Sequence, residues 1–418
     1  MRLRFVSIAC CLLVPVVNAA EEPPREWIDR DTGHRVVRLS TEPGSESLYF
    51  HQNAFTASGD KMVMTTPGGI STVNLQNREI ALVVPDTRFS TNQSGIIVGR
   101  KTRQVFYVKR EGDAATVYCT HLDTKITRRV GNVPGTGRGS MLAINADETL
   151  LAGSFVERPP QSDAERDAMF RRPDEGKGTW MLRRLRARLP MQMFVMNVSD
   201  GASRTFHSST DWLNHVQMSP MDPQLILFCH EGPWHLLDRL WTIRADGTGL
   251  KAIHPRTMQM EIAGHEFFSA DGKTIWYDLQ TPRGQVFWLA GYEIETGART
   301  WYQLQRDEWS VHYNISPDGK LFAGDGGHEG SVAKAQDGKW IYLFRPEMTA
   351  IPNGPLSEDR KLIQTGVFRS ERLVNMKNHN YALEPNVQFT PDGKWIAFRA
   401  NLFGASHSFI VEVAKAGR

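Results

Sequence analysis

The chain has little cysteine, no long hydrophobic run and almost no excess charge. Of its 4 Cys, Cys10 and Cys11 stand in the first twenty residues, so at most one disulfide, Cys119 to Cys229, is open to the rest of the chain. Both of these lie in apolar strand-like runs (VYC and LILFC), and two separate buried thiols are the expectation. The opening MRLRFVSIACCLLVPVVNAA places two arginines ahead of an apolar run ending in small residues. That is the layout of a secretory signal peptide over 1–20, and the run is too short to span a bilayer, so no membrane span is expected. Its removal takes Arg2 and Arg4, and the 49 basic residues become 47 against 46 acidic ones. A near-neutral chain lacks the one-sided basic surface that nucleic acid demands, which excludes that partner class and leaves small anions open.

What is present is a folded, loop-rich composition: 40% hydrophobic, 23% charged, 35 Gly, 22 Pro and 11 Trp. At 418 residues the chain exceeds one ordinary core, leaving two domains, a barrel or a repeat array. The repeats decide. An apolar residue, Ser/Thr, Pro/Ala and an Asp-Gly turn followed by an alternating strand recur at Phe55, Ile144, Met218, Phe268, Ile315 and Phe389. The intervals are 89, 74, 50, 47 and 74 residues. Repeats of about 40 to 50 residues made of strand, turn and strand indicate a β-propeller, because one blade cannot bury its own faces. The first interval hides a further blade near Ile96, giving an all-β, seven-bladed propeller over 21–418 as one domain. HRVVRLS, from His34, is expected to complete the last blade. The two 74-residue intervals locate insertions at about 157–190 and 327–383, the first a short helical excursion.

Strands of a propeller converge on a central funnel, the default binding site of the fold. His215, His265 and His312 stand three or four residues before successive repeat turns, in NHVQMSP, GHEFFSADG and HYNISPDG, and should meet at the axis. Glu384, Pro385 and Asn386 hold the same offsets before Phe389, adding oxygen donors with metal-ligand capacity. CHEGPWHLLDRLW, Cys229 to Trp241, brings His230, Glu231 and Arg239 to a strand end at the rim, where a planar guanidinium beside an imidazole is suited to gripping a carboxylate.

These segments, with YFHQNAFT near Tyr49, VHYNISPDGKLFAGDG and FTPDGKW, resemble the oligogalacturonate lyases, seven-bladed propellers that cleave short pectin fragments by β-elimination. The resemblance runs from about His34 to the C-terminus; CHEGP and HEF are its specific motifs. It implies that His265 is the catalytic base, Arg239 the arginine assisting it, and His312 one histidine ligand of a manganese ion. The chain departs from the family where Gln-x-x-His-Pro-His is expected: it reads Tyr381-Ala-Leu-Glu384-Pro385-Asn386. Tyr381, Glu384, Asn386 and His312 then form a harder ligand set for a divalent cation, Mn²⁺ with Ca²⁺ or Mg²⁺ as alternatives.

The chemistry has its own logic. The C5 proton of a uronate adjoins a carboxylate, so its removal builds charge on an anionic group, and a cation must neutralise that group before a neutral histidine can act. His215, His230, Arg183 and Arg186 are the candidate substrate contacts, the last two within an arginine-rich run that ordinarily reads as a solvated face, with a lid over an acidic oligosaccharide as the functional alternative. A hydrolase would need a carboxyl pair astride the bond, for which Glu231 with Glu266 or Glu261 is available. A non-catalytic scaffold would need neither. A leader-bearing chain of this kind is expected in the periplasm or outside the cell.

Overall fold

A computed structural model describes residues 22–89, 95–112, 114–135, 142–333, 335–349 and 363–417. The expected leader at 1–20 and part of the second expected insertion, 350–362, lie outside these residues. The strands form seven antiparallel blades arranged as a β-propeller, at 46–85, 96–132, 143–209, 212–252, 262–303, 313–375, and a last blade from Gln388–Phe389, Trp395–Phe403 and Ala405–Lys415. The strand His34–Arg38 pairs with Ala405–Lys415, and Glu26–Ile28 adds outside it, so both ends of the chain build one sheet and close the ring as expected. The blade hidden in the first interval begins at Ile96.

The last three of the recurring turns work the same way. Ser269, Ser316 and Thr390 each donate a hydroxyl hydrogen bond of 2.6 Å to an Asp two residues on. Each also accepts the backbone N–H of the residue five positions on, where the next strand begins or is about to begin, at 2.9 to 3.1 Å. Gly272, Gly319 and Gly393 close the turns at φ 67°, 73° and 68°, a region that costs side-chain-bearing residues energy and glycine little. Between blades the burial is apolar. Val63 and Ile70 of the first blade pack with Val105 and Tyr107 of the second and with Val37, Ala397 and Ile410 of the last.

Two excursions leave this pattern. Between Val156 and Met191 the third blade carries helix α1 (Asp163–Met169) and helix α2 (Lys177–Ala187), the expected helical insertion. The stretch 327–383 is less of an insertion than expected: it contains the two outer strands of the sixth blade, Trp340–Met348 and Ile363–Asn375, lengthened into a long hairpin. The start of the second strand pairs in parallel with Arg299–Gln303, fusing the fifth and sixth blades into one eight-stranded sheet. Cys119 and Cys229 are both buried and free, as expected.

Candidate functional site

The inner strands are bent where the histidines sit. Pairing slips between Asn214 and Gln217 in the fourth blade and between Gly264 and Phe267 in the fifth, so each strand carries a bulge. At those bulges His215 and His265 have φ of 51° and 45°, left-handed values that are uncommon for non-glycine residues. A bulge re-aims a side chain, and such strain persists only where surrounding structure over-determines it. His265 and His312 meet as expected, ring centroids 4.6 Å apart. Tyr49 and Phe50 of the YFHQNAFT segment fill the centre: Tyr49 lies 5.3 Å from His312 and 5.8 Å from His215, and Phe50 lies 4.7 Å from His312.

His265 has a partner that its own strand does not supply. Its Nδ1 lies 3.1 Å from Oδ1 of Asp278, on the neighbouring strand of the same blade. Neither atom makes a hydrogen bond, to the other or to any other group among the described residues, so the contact is the close approach of an imidazole to a fully buried carboxyl group. Burial, reinforced by His312, holds the His265 imidazole well below its ordinary pKa, leaving it neutral at neutral pH. Burial pushes the Asp278 carboxyl up to about 7, against the pull of Arg239.

Arg239 lies behind this bulge and is 1% exposed. It donates to Glu231 at 3.0 Å, to Cys229 Sγ at 3.2 Å and to the Ala263 carbonyl at 3.4 Å, with its guanidinium 4.2 Å over the Trp234 ring. Trp234 in turn meets the His265 ring edge at 5.0 Å. Gly264 makes this stack possible, since a Cβ there would lie 2.4 Å from Trp234 and 2.5 Å from Arg239. The expected carboxylate clamp is therefore committed to Glu231 and does not line the cavity. The strand that follows it begins at Leu240.

His312 is oriented by Asp325, whose Oδ2 is 2.7 Å from His312 Nδ1 and whose Oδ1 accepts the His312 N–H at 2.8 Å. Burial opposes the charged imidazole, but Asp325 and Glu384 outweigh it and hold the pKa above its ordinary value. Nε2 of His312 is buried with no hydrogen-bond partner among the described residues and lies 3.7 Å from Glu384 Oε2. Asn386, expected beside them as a ligand, does not join them. Its φ is 57°, its Oδ1 accepts the Phe50 N–H at 3.1 Å and its amide donates to the Glu384 carbonyl at 2.8 Å, so both ends are spent on backbone. Tyr381, expected as a further ligand, lines the cavity, but its hydroxyl donates to the Asp325 carbonyl at 3.2 Å.

That cavity, about 590 Å³, is bounded by His265, Trp234, Tyr381 and Glu384 below and by the first turns of α2 above. The insertion does wall the funnel, but its arginines do not. Arg183 is held by Glu175, Arg184 is buried 4.3 Å over Trp212, and Arg188 pairs with Asp211. Arg186 is exposed and lies outside the lining. His230 is likewise turned away, 3.0 Å from Asp211 and stacked on Trp241. His215 reaches the axis but sits below the cavity, 3.6 Å from both Glu231 and Glu266. The lining cations are Lys177 and Arg283, both exposed and neither with an ion-pair partner among the described residues. Sequence reasoning missed both. Lys177 is felt below: after burial and Arg239 it is the next influence on Glu231, which is held below its ordinary pKa.

His215, Cys229 and Glu231 bring one ligand atom each within 4.8 Å of one another. The Arg239 guanidinium already donates to both Cys229 and Glu231, so the charge a cation would supply there is present.

A family model described as oligogalacturonate lyase matches residues 25–416. The chain is 23% identical over 407 residues to the oligogalacturonide lyase of Pectobacterium atrosepticum, across 92% of this chain and 95% of that protein. It is 23% identical over 405 residues, with the same shares, to the oligogalacturonate lyase of Dickeya dadantii. Among solved structures, an oligogalacturonate lyase in complex with manganese is similar at TM-score 0.74 and 21% identity, covering 94% of this chain and 96% of that one. The Vibrio parahaemolyticus oligogalacturonate lyase gives 0.72 and 20%, covering 94% and 97%.

Proposed function

Because the chain belongs to the oligogalacturonate lyase family, we infer that it cleaves short oligogalacturonides by β-elimination, releasing 4,5-unsaturated uronates. The observation that carries the mechanism is His265, placed by a strained bulge on the cavity wall, neutral, with Asp278 behind it. The Nδ1 facing Asp278 leaves Nε2 to take the C5 proton; the electron pair forms the C4–C5 double bond and the C4–oxygen bond breaks. The imidazolium then faces a buried carboxyl group, and its proton is the one the departing oxygen needs, so no water is consumed. A positioned base of this kind contributes about 10²–10⁴-fold.

Uronate carboxylates need cations, and Lys177 and Arg283 stand on the cavity wall to receive them. Arg239 acts as a positioning residue, locking Trp234 and the strand under His265. A divalent cation fits the remaining donors: the buried Nε2 of His312, without a hydrogen-bond partner among the described residues and fixed by Asp325 as metal-bound histidines commonly are, with Glu384 beside it. Bound there, Mn²⁺, Mg²⁺ or Ca²⁺ would supply positive charge to the carboxylate flanking C5.

A hydrolase reading fares worse. Glu384 is the one carboxylate lining the cavity among the described residues, so no carboxyl pair stands astride a bound glycoside. Glu231 is tied to Arg239, and burial pushes Glu266 up to about 7 out of reach of the lumen. The lyase reading is tested by adding oligogalacturonides and following the ultraviolet absorbance of the conjugated product. Reducing-end release without that absorbance would mean hydrolysis. The leader-like residues 1–20 support action in the periplasm or outside the cell, which fractionation of the producing cells tests.

A further inference from the structure

The axis of the ring holds a second cavity, at the opposite mouth. The strand Ile262–Phe268 lines the catalytic cavity with Ile262 and His265 and this second one with Phe267 and Phe268. It measures about 280 Å³, with the Phe50 ring between it and His312. Three features set it apart from the ordinary water-filled end of a propeller. Gln52 lines it, is 2% exposed, and has neither amide nitrogen nor amide oxygen hydrogen-bonded among the described residues. Nε2 of His51 is likewise buried and without a hydrogen-bond partner among the described residues. Arg100 stands exposed at the mouth with no ion-pair partner among the described residues, and no carboxylate lines the cavity to oppose it. The remaining wall is largely apolar and aromatic, with Phe55, Phe268 and Phe389 prominent.

Buried polar atoms in native proteins are nearly always satisfied, so a fully unsatisfied amide facing a cavity points to what the cavity takes. One guanidinium calls for one carboxylate. An amide and an imidazole that can both donate and accept suit hydroxyl groups, and aromatic walls suit the C–H face of a ring. The volume lies just below the range of about 300–1,000 Å³ usual for drug-sized ligands, which admits one ring and excludes an oligomer. We propose that this cavity is a second ligand site for a single hydroxylated monocarboxylate of monosaccharide size, with its carboxylate on Arg100 and its hydroxyls on Gln52 and His51. The assignment rests on this lining alone and does not require the lyase reading.

The test is calorimetric titration of the full chain with D-galacturonate, beside D-glucose as a neutral ring and inorganic phosphate as an anion without one. The experiment uses a Lys177→Met/Arg283→Met background to suppress binding at the catalytic mouth. In that background galacturonate should still bind, and Arg100→Gln should weaken it at least tenfold while leaving the thermal midpoint and the elimination rate of the otherwise wild-type enzyme unchanged. Gln52→Leu should weaken galacturonate without creating phosphate binding. No galacturonate binding, equal binding in Arg100→Gln, glucose binding as tightly as galacturonate, or phosphate showing the same dependence on Arg100 would each overturn the proposal. All four outcomes leave the lyase assay at the other mouth as an independent result.

Discussion

Replacing Asp278 with Asn changes one oxygen to nitrogen in a fully buried side chain that faces His265 Nδ1 at 3.1 Å. Shape is conserved, so packing should hold, but two consequences diverge. The imidazolium formed on proton abstraction loses the carboxyl group that faces it, and the amide can present its N–H₂ to Nδ1, favouring the tautomer whose Nε2 already carries a proton. Loss of a correctly oriented base costs about 10²–10⁴-fold in kcat. Stability should move the other way. Asp278 has its pKa raised from 3.8 to about 7 on folding, so between those values the folded protein holds the extra proton and stability falls as pH rises. Above pH 7 the penalty is fully developed, with a ceiling of about 4 kcal/mol for a shift of about three units at 1.36 kcal/mol each. The Asn variant lacks this term. Denaturant melts of both proteins at pH 5 and pH 8 should show the variant gaining on the wild type at the higher pH, while the absorbance assay shows kcat collapsing. A variant with kcat within threefold of wild type, or one that loses ground at pH 8, would refute the placement of Asp278 as the partner of a neutral base.

Four further outcomes follow from the same geometry. His265→Gln should abolish unsaturated product without lowering the thermal midpoint by more than a few degrees, read by absorbance and calorimetry on the same preparation. Lys177→Met and Arg283→Met should each raise KM for a diuronide about tenfold, the loss of roughly one charge-assisted contact, and initial rates across substrate concentration separate this from a kcat effect. Arg239→Ala should cost about 3–5 kcal/mol of unfolding free energy because it strands Glu231 in the interior; unchanged urea stability with reduced substrate affinity would restore the clamp role. Glu384→Gln should weaken divalent-cation binding measured by titration calorimetry, and chelator-treated wild type should lose activity that Mn²⁺ restores.

The ring and two of its histidines were legible because both depend on local repetition. Each Ser/Thr-x-Asp-Gly turn carries all the groups that close it, and His265 and His312 hold fixed offsets from such turns. Their partners were not read, although a signal existed. Asp278 and Asp325 sit inside the apolar strand runs TIWYDLQ and LFAGD, where a carboxylate needs a buried partner one strand away. The arginine run misled for the opposite reason. Its charges are absorbed by Glu175, Trp212 and Asp211, contacts made in three dimensions that helical spacing does not display, while the cations that line the cavity, Lys177 and Arg283, are single residues beside glycines and prolines with no pattern around them. Asn386 has an oxygen in the right sequence position, but its backbone conformation turns that oxygen to Phe50.

The last blade, built from both ends of the chain, governs how the molecule comes into being. His34 meets the Glu412 carbonyl across 378 residues of sequence, and closing a loop of that length costs about 3 kcal/mol more entropy than closing a ten-residue hairpin. Six blades can therefore assemble locally as the chain is made, while the seventh waits for its final strand, leaving two unpaired sheet edges exposed in the interval. Those edges are a template for pairing with another copy. The time between synthesis of residue 38 and arrival of residue 405 is thus the window in which this protein is most exposed to aggregation, and a circular permutant that joins the two ends and opens between other blades would shorten it.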